Sequence, residues 1–331
     1  MTLVCPACGG ELDAGPDALA CTSCQRQFAI VAGLPDLRLE YPDPEVSWAD
    51  DLAAARDLAE STDDFDDLQR RLWRLTGRSD VIADRFLDVD RESVARADAY
   101  LDAVVAARGR PFGPGDCLLE VGCGSGPLAV AAARRGPDVA ATDLSLRWVV
   151  LARRRLEEHG LEDVTFAAAS AEEPPFPAGS FDVVVASDVI EHAQRPADFV
   201  AGCARMLKPG GLLFLATPNR FSLALEPHVR LWGVGYLPLP LAKRYVRAVR
   251  KTPYDHTRLL SAFRLRRLLE GEGLAVTIVP PAVPPGTLAV YDGLELRLVR
   301  AYNRLRRHGP VRFALRAVGP FFHVFATKKE I

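Results

Sequence analysis

At 331 residues, with 49% hydrophobic and 25% charged residues, the chain has the composition of a soluble globular protein and room for one large domain with appendages or for two domains. Lys and Arg number 41 against 43 Asp and Glu, a formal net charge of −2, which excludes the chain-wide basic field that draws nucleic acid. No run of about 18 apolar residues and no basic-then-apolar leader is found, so a cytoplasmic location is expected, where seven cysteines read as metal ligands and core residues rather than disulfides.

The first of these cysteines set the first element. Cys5 and Cys8 form one CxxC and Cys21 and Cys24 a second, twelve residues on, with Gly9 and Gly10 suited to the turn after the first pair. Two such knuckles offer four thiolates to one tetrahedral zinc ion, and a set closed by four sulfurs makes that zinc structural. Residues 1 to 40 contain few large apolar side chains, so the metal is expected to supply much of the unit's stability. About residues 2 to 39 resemble the zinc ribbon of the small activator proteins that partner tRNA and translation-factor methyltransferases, and more loosely the N-terminal zinc modules of ribosomal-RNA guanine methyltransferases.

YPDPE (41 to 45) then reads as a linker. Through residues 41 to 110, apolar residues at helical spacing (Leu52, Leu58, Phe65, Leu68, Leu72, then Val94, Ala97, Leu101, Val104, Val105) predict a helical lead-in or lid. From 111 to 331, the strand-like runs CLLEV, VAATD, VTFAAA, FDVVVAS and GLLFLAT alternate with helices over 126–135, 145–159 and 195–207. That repetition predicts an α/β domain with a mostly parallel sheet covered on both faces. An insertion at about 219 to 257 follows, then a helix over 261–271, the strand LAVTIV, a basic helical segment at about 288 to 316 and a last strand, FFHVFAT. Cys117, Cys123 and Cys203 read as small core residues.

In LLEVGCGSG, a strand runs into a turn that opens a helix, which lets a ligand touch backbone at Gly122, Gly124 and Gly126. A dinucleotide fingerprint would need Gly or Ala where Pro127 stands. Asp143 ends the second strand, 21 residues after Gly122, where a carboxylate can accept both ribose hydroxyls. Glu120 and the three glycines resemble the ExGxGxG motif of class I S-adenosylmethionine-dependent methyltransferases, which are Rossmann-like with seven strands. The resemblance implies that Glu120 holds the methionine amino end and the glycines admit the cofactor. ASAEEPPFPAGSFDVVVASDVIEH and LKPGGLLFLATPN resemble the family's later motifs, implying Ala171 and Glu172 beside adenine, with Glu173 the alternative, and Ser187 and Asp188 beneath the cofactor.

For chemistry, the candidates are Glu191 and His192 in SDVIEH, then His256 in TPYDHTR, with His228 in the insertion. Asp188, Glu191 and His192 resemble the ExxEH cluster of ubiquinone-biosynthesis O-methyltransferases, implying a divalent cation near the acceptor, although Asp188 is one methylene shorter than the first Glu. Phe221, Trp232, Tyr236 and Leu237 line an acceptor pocket or pack a cap. Basic residues gather late (Lys243, Arg244, Arg247, Arg250, Lys251, Arg297, Arg300, Arg304, Arg306, Arg307, Arg312, Arg316), as a solvated face or a surface for RNA, anionic membrane or phosphorylated substrate. No motif that reads DNA sequence is present. The expectation is a methyltransferase acting on oxygen of a small, quinone-like or lipid acceptor. An RNA methyltransferase, which would lack the aromatic NPPY-type motif after strand four, and a non-catalytic activator partner are the alternatives.

Overall fold

The computed structural model describes residues 1–41, 46–283 and 293–330; most of the expected linker (42–45) and residues 288–292 of the expected basic segment lie outside the described residues. At the N-terminus, β1 (Leu12–Ala14), β2 (Ala18–Cys21), β3 (Gln27–Val31) and β4 (Leu34–Pro35) form an antiparallel sheet in that order. Leu19, Phe28 and Leu37 pack with Cys5 and Cys21 into a small core that is completed by Ala167 of the larger domain. The ribbon is therefore docked: Asp36 bridges Ala168 in parallel, and Leu37 N–H donates to Ala168 O at 2.8 Å.

Four helices follow, α1 (Trp48–Glu60), α2 (Phe65–Leu75), α3 (Asp80–Arg91) and α4 (Ser93–Arg108). Ser47 and Asp64 cap α1 and α2 by accepting N–H groups of Asp50 and Asp67, meeting the orphan donors of each first turn. Leu58, Leu68, Leu72, Leu101 and Val104 are sealed from solvent in the same core as the strands, so these helices are built into the main body.

The larger sheet comprises β5 (Cys117–Val121), β6 (Asp138–Asp143), β7 (Val164–Ala168), β8 (Phe181–Ser187), β9 (Leu207–Pro218), β10 (Leu274–Val279) and β11 (Phe321–Lys328), in the order β10-β11-β9-β8-β5-β6-β7. Only β11 runs antiparallel to its neighbours. The helices α5 (Pro127–Ala133), α6 (Leu146–Glu158), α7 (Pro196–Met206) and α9 (Ala262–Gly271) cover its two faces. Order reverses at β5, whose flanking strands are reached by connections running in opposite directions, and a crevice at the carboxyl ends of such strands is where ligands bind. The fifth strand starts at Leu207, four residues ahead of the expected GLLFLAT, because LKPG continues the pairing.

The insertion folds as a 3-10 turn (Val234–Tyr236) and α8 (Leu239–Arg250) around a core of its own, in which Leu231, Val234, Ala242, Val246 and Tyr254 meet. Gly235 is required there, since a Cβ would stand 1.7 Å from Arg220 O. Two further helices, α10 (Gly293–Leu305) and α11 (Gly309–Val318), lead into β11. No helix of the described residues is long and apolar enough to cross a membrane.

One half-buried histidine in this sheet carries a pH signature. His323 sits edge-on to Tyr100 and Phe214, each 5.1 Å away, and burial, with a smaller effect from the Arg306 charge, pushes its pKa down to about 4. The unfolded chain takes up that proton near pH 6.5, so its contribution to stability is complete above 6.5 and is lost as pH falls toward 4. Denaturant titrations are expected to lose up to about 1.4 kcal/mol per pH unit in that window through this group, and His323→Phe to flatten the loss.

Candidate active site

The turn from β5 into α5 is shaped by its glycines. Gly122 (φ 73°) lies so close to the end of β8 that a Cβ would fall 2.4 Å from Val189 Cγ2. Gly124 (φ 49°) has open space where a Cβ would be and lines a cavity of about 580 Å³, so its bare backbone faces a ligand. Gly126 (φ 81°) does another job: a Cβ would meet Ala152 Cβ at 2.9 Å, so it admits α6 against α5 rather than touching the cavity.

Two carboxylates flank this turn. Asp143 accepts Gly124 N–H and Ser145 N–H, both at 2.9 Å, which fixes its plane at the cavity wall. Glu120 lines the same cavity, and its Oε2 is buried without a hydrogen-bond partner. Burial raises the pKa of both, and their mutual repulsion adds to the shift of Glu120. A buried acceptor left unmet in a ligand-sized cavity matches an ammonium group, and Asp143 a vicinal diol.

Behind Asp143 stands a buried ionic network that joins three parts of the chain. Arg38, at the end of the ribbon, grips Asp36 at 2.6 and 2.7 Å, Asp51 of α1 at 2.6 Å and the carbonyl of Leu144 at 2.9 Å. Asp51 also accepts Leu146 N–H and Arg147 Nη1, each at 2.9 Å, and so caps the positive end of α6. Tyr41 Oη lies 2.9 Å from Ser145 Oγ. Residues 143 to 147, which supply Asp143, Leu144, Ser145 and Arg147 to the cavity, are thus held from outside by the ribbon and α1.

On the other flank of β5 from Asp143 lies the end of β8. Asp188 adopts φ 57°, a left-handed conformation uncommon outside glycine, and faces the cavity beside Ser187, whose hydroxyl is 3.4 Å from Asp188 Oδ2. His192 also lines the cavity; its Nδ1 is 3.1 Å from the carbonyl of His256, which makes Nδ1 the donor and leaves Nε2 as an acceptor. Burial, then the nearby His228 charge, pushes the pKa of His192 down to about 4, so the ring is neutral at pH 7. Glu191 does not line the cavity; it is fully buried and accepts the Thr217 hydroxyl at 2.9 Å, with burial and Asp188 pushing its pKa up to about 8.

The family model for the methyltransferase domain matches residues 119–215. Over 182 residues the chain is 38% identical to the ubiquinone biosynthesis O-methyltransferase of Caulobacter vibrioides, covering 55% of this chain and 67% of that one. The chain belongs to the class I methyltransferase family. It is also 37% identical over 160 residues to the enzyme of the same name from Caulobacter sp. strain K31, covering 48% of this chain and 59% of the relative. Among solved structures, a complex of the Haloferax volcanii Trm112 methyltransferase activator with a methyltransferase aligns with a TM-score of 0.48 at 18% identity, covering 82% of this chain and 100% of that one.

Within this methyltransferase, Glu120, Gly122, Gly124, Asp143, Ala171, Glu172, Ser187, Asp188, His192 and His256 all line the one cavity, whereas Gly126 and Glu191 do not. Of the two adenine-side acids it is Glu172 that faces the cavity, its carboxylate held by Arg195 N–H at 2.8 Å and by the Arg195 guanidinium at 3.2 Å. The cation cluster forms differently from the expected one: Glu191, His192 and His228 bring ligand atoms within 4.8 Å of one another, and Asp188 is left out because its left-handed backbone sets it at the cavity beside Ser187. His228 is oriented by Glu226 Oε1 at 2.5 Å from Nδ1; burial works to lower its pKa, but Glu226 overrides this and the net shift is upward. Two imidazoles and a carboxylate suit a divalent transition metal.

In the insertion, Tyr236 stacks on Trp232 and meets Phe221 at a tilt on the outer surface, with centroids 6.1 and 5.7 Å apart; of the four, only Leu237 enters a cleft. Arg96 and Tyr100, at i and i+4 on α4, and Arg258 after His256 line the cavity without having been singled out by motif. The spacing of Ser93, Arg96, Ala97 and Tyr100 along one helical stripe is the signal that marks them. In the ribbon, Cys5 Sγ and Cys24 Sγ are 3.7 Å apart and Cys8 Sγ and Cys21 Sγ 3.5 Å. Four sulfurs at about 2.3 Å from a tetrahedral centre stand about 3.8 Å apart, so the set fits one zinc ion.

Proposed function

We propose that this methyltransferase carries the methyl group of S-adenosylmethionine to a hydroxyl of a small, quinone-like or lipid acceptor, with His192 as general base and a structural zinc ion held by Cys5, Cys8, Cys21 and Cys24. The observation that carries the reading is one cavity lined by two chemistries: the unmet Glu120 carboxylate and pinned Asp143 at the ends of β5 and β6, and the neutral, accepting His192 just past the end of β8. The names of the relatives support an oxygen acceptor.

When bound, the cofactor supplies an electrophilic methyl group on a sulfonium centre. Glu120 holds its ammonium group, Asp143 its ribose hydroxyls, and Ala171 and Glu172 border its adenine. Displacement at a methyl group depends mainly on alignment, so the rigid glycine turn and the clamped residues 143–147 position one partner while the end of β8 positions the other. His192 Nε2 takes the acceptor's proton, and the His256 carbonyl holds the ring in the tautomer that can do so.

His192→Asn is expected to lower kcat by about 10²–10⁴-fold and to leave the Kd for S-adenosylmethionine within threefold; a kcat near that of the parent removes His192 as the base. The acceptor class is tested with methyl-labelled cofactor and fractionated lysate. Label in the organic extract is the expected result, and label in RNA alone would replace the small-molecule reading by the RNA one. Elemental mass spectrometry should find one zinc per chain, lost on Cys21→Ser with Cys24→Ser.

A further inference from the structure

Beside the cofactor cavity opens a second cleft of about 310 Å³. The two share Gln194 and Arg258 in their walls, so the cleft adjoins the cavity at these residues. On one side the cleft is apolar, with Val234, Leu237 and Leu239 from the insertion and Leu260 from the sheet side. Its charged lining is entirely cationic: Arg220, Arg258 and Arg264 face it, and no Asp or Glu of the described residues does.

These arginines differ in how they are used. Arg220 donates from Nε to the carbonyl of Gly235 at 2.9 Å and lies against Phe221, so it is spent on holding the insertion. The side chains of Arg258 and Arg264 have neither a hydrogen bond nor an ion pair among the described residues. Arg258 is fixed by its backbone, whose N–H donates to the carbonyl of Glu191 at 2.6 Å, so its stem is anchored while its charge is uncommitted. Between these cations, Thr257 lines the same cleft; it is 1% exposed and its hydroxyl is buried without a partner. A buried polar group of this kind costs free energy unless something meets it.

We infer that this cleft is an anion subsite: it receives a carboxylate or phosphate monoester carried on an apolar body, which Arg258 and Arg264 hold by charge-assisted hydrogen bonds and Thr257 by its hydroxyl. The inference rests on the reading that the adjoining cavity holds the reacting end of the acceptor, and it narrows that acceptor to an amphiphilic acid. A nucleic-acid backbone is a poorer fit, because one wall is apolar and the volume admits a single charged group rather than a run of phosphates.

Calorimetry on the full chain, with octyl phosphate, octanoate and octanol as probes, reads this without turnover. At least one anion is expected to bind tenfold or more tighter than octanol, and the tighter of the two tells a phosphate from a carboxylate site. Arg258→Met, checked for folding by its melting temperature, is expected to abolish the preference. Arg264→Met, on an exposed position away from the cofactor cavity, should weaken anion binding three- to tenfold with S-adenosylmethionine affinity unchanged. Equal binding of octanol and both anions, anion binding that survives both substitutions, or displacement of octyl phosphate by a short RNA would each overturn the subsite. An intact subsite in a chain that transfers no methyl group would count against the proposed function alone.

Discussion

Asp143→Ala is expected to weaken S-adenosylmethionine binding by at least 100-fold. The carboxylate does two things at once. On the proposed reading it receives the ribose hydroxyls, and it ties Gly124 N–H on one strand end to Ser145 N–H on the next. Hydrogen bonds to a charged group contribute about 1.5–3 kcal/mol each, so losing a pair of them to the ligand amounts to two or more powers of ten. The two freed N–H groups also let the glycine turn relax. Asp143→Asn keeps one oxygen as an acceptor and is expected to lose less, about tenfold. Calorimetry on both variants checks this, and a Kd for Asp143→Ala close to that of the parent would remove Asp143 from the cofactor site.

The second large effect belongs to Asp51, far from Asp143 in sequence but one layer behind it. Asp51→Ala leaves Arg38 and Arg147, both buried, without their shared counter-charge, and leaves the amide of Leu146 without an acceptor. Removing one partner from a buried ionic cluster costs up to about 3–5 kcal/mol, and Arg38 keeps Asp36, so the cost here falls toward the lower end of that range. The expected result is a clear fall in the denaturation midpoint, with weaker cofactor binding by the fraction that stays folded, since Leu144 and Ser145 lose their outer support. Asp51→Asn, which keeps the shape and one acceptor, should fall between the two. A midpoint unchanged in Asp51→Ala would show the network to be idle.

Local patterns carried the parts of this protein that are local. Apolar runs of five to seven residues marked the strands, and the glycine turn between two acids marked one wall of the cavity, because side-chain period and φ preference act within a few residues. Four cysteines were legible by spacing, since a tetrahedral centre constrains it. The rest depends on residues brought together by topology. Arg38, Asp51 and Arg147 lie on three separate elements, and neither their charge nor their spacing distinguishes them from surface residues. The same holds for His228, which joins Glu191 and His192 only after the insertion folds back over the end of β8. Within SDVIEH, adjacency misled: Asp188 and Glu191 share a motif but face different surroundings, one a cavity and the other a sealed interior. In the insertion, aromatic content left a pocket and a packed cap both open; three of the four residues pack against one another at the surface, while the cleft belongs to leucines and arginines.

The pairing of Asp36 and Leu37 with Ala168 has a consequence for how the protein survives at high concentration. β7 is the outermost strand of the large sheet on that side, and an open strand edge is a template on which a second molecule can add its own strand. Here the chain's own N-terminal unit occupies that end of the edge and buries Leu37 over it. On the proposed zinc reading, losing the metal and with it the ribbon's shape would uncover that end of the edge beside an apolar patch, so the four cysteines would guard against self-association as well as supporting the cavity wall behind Asp143.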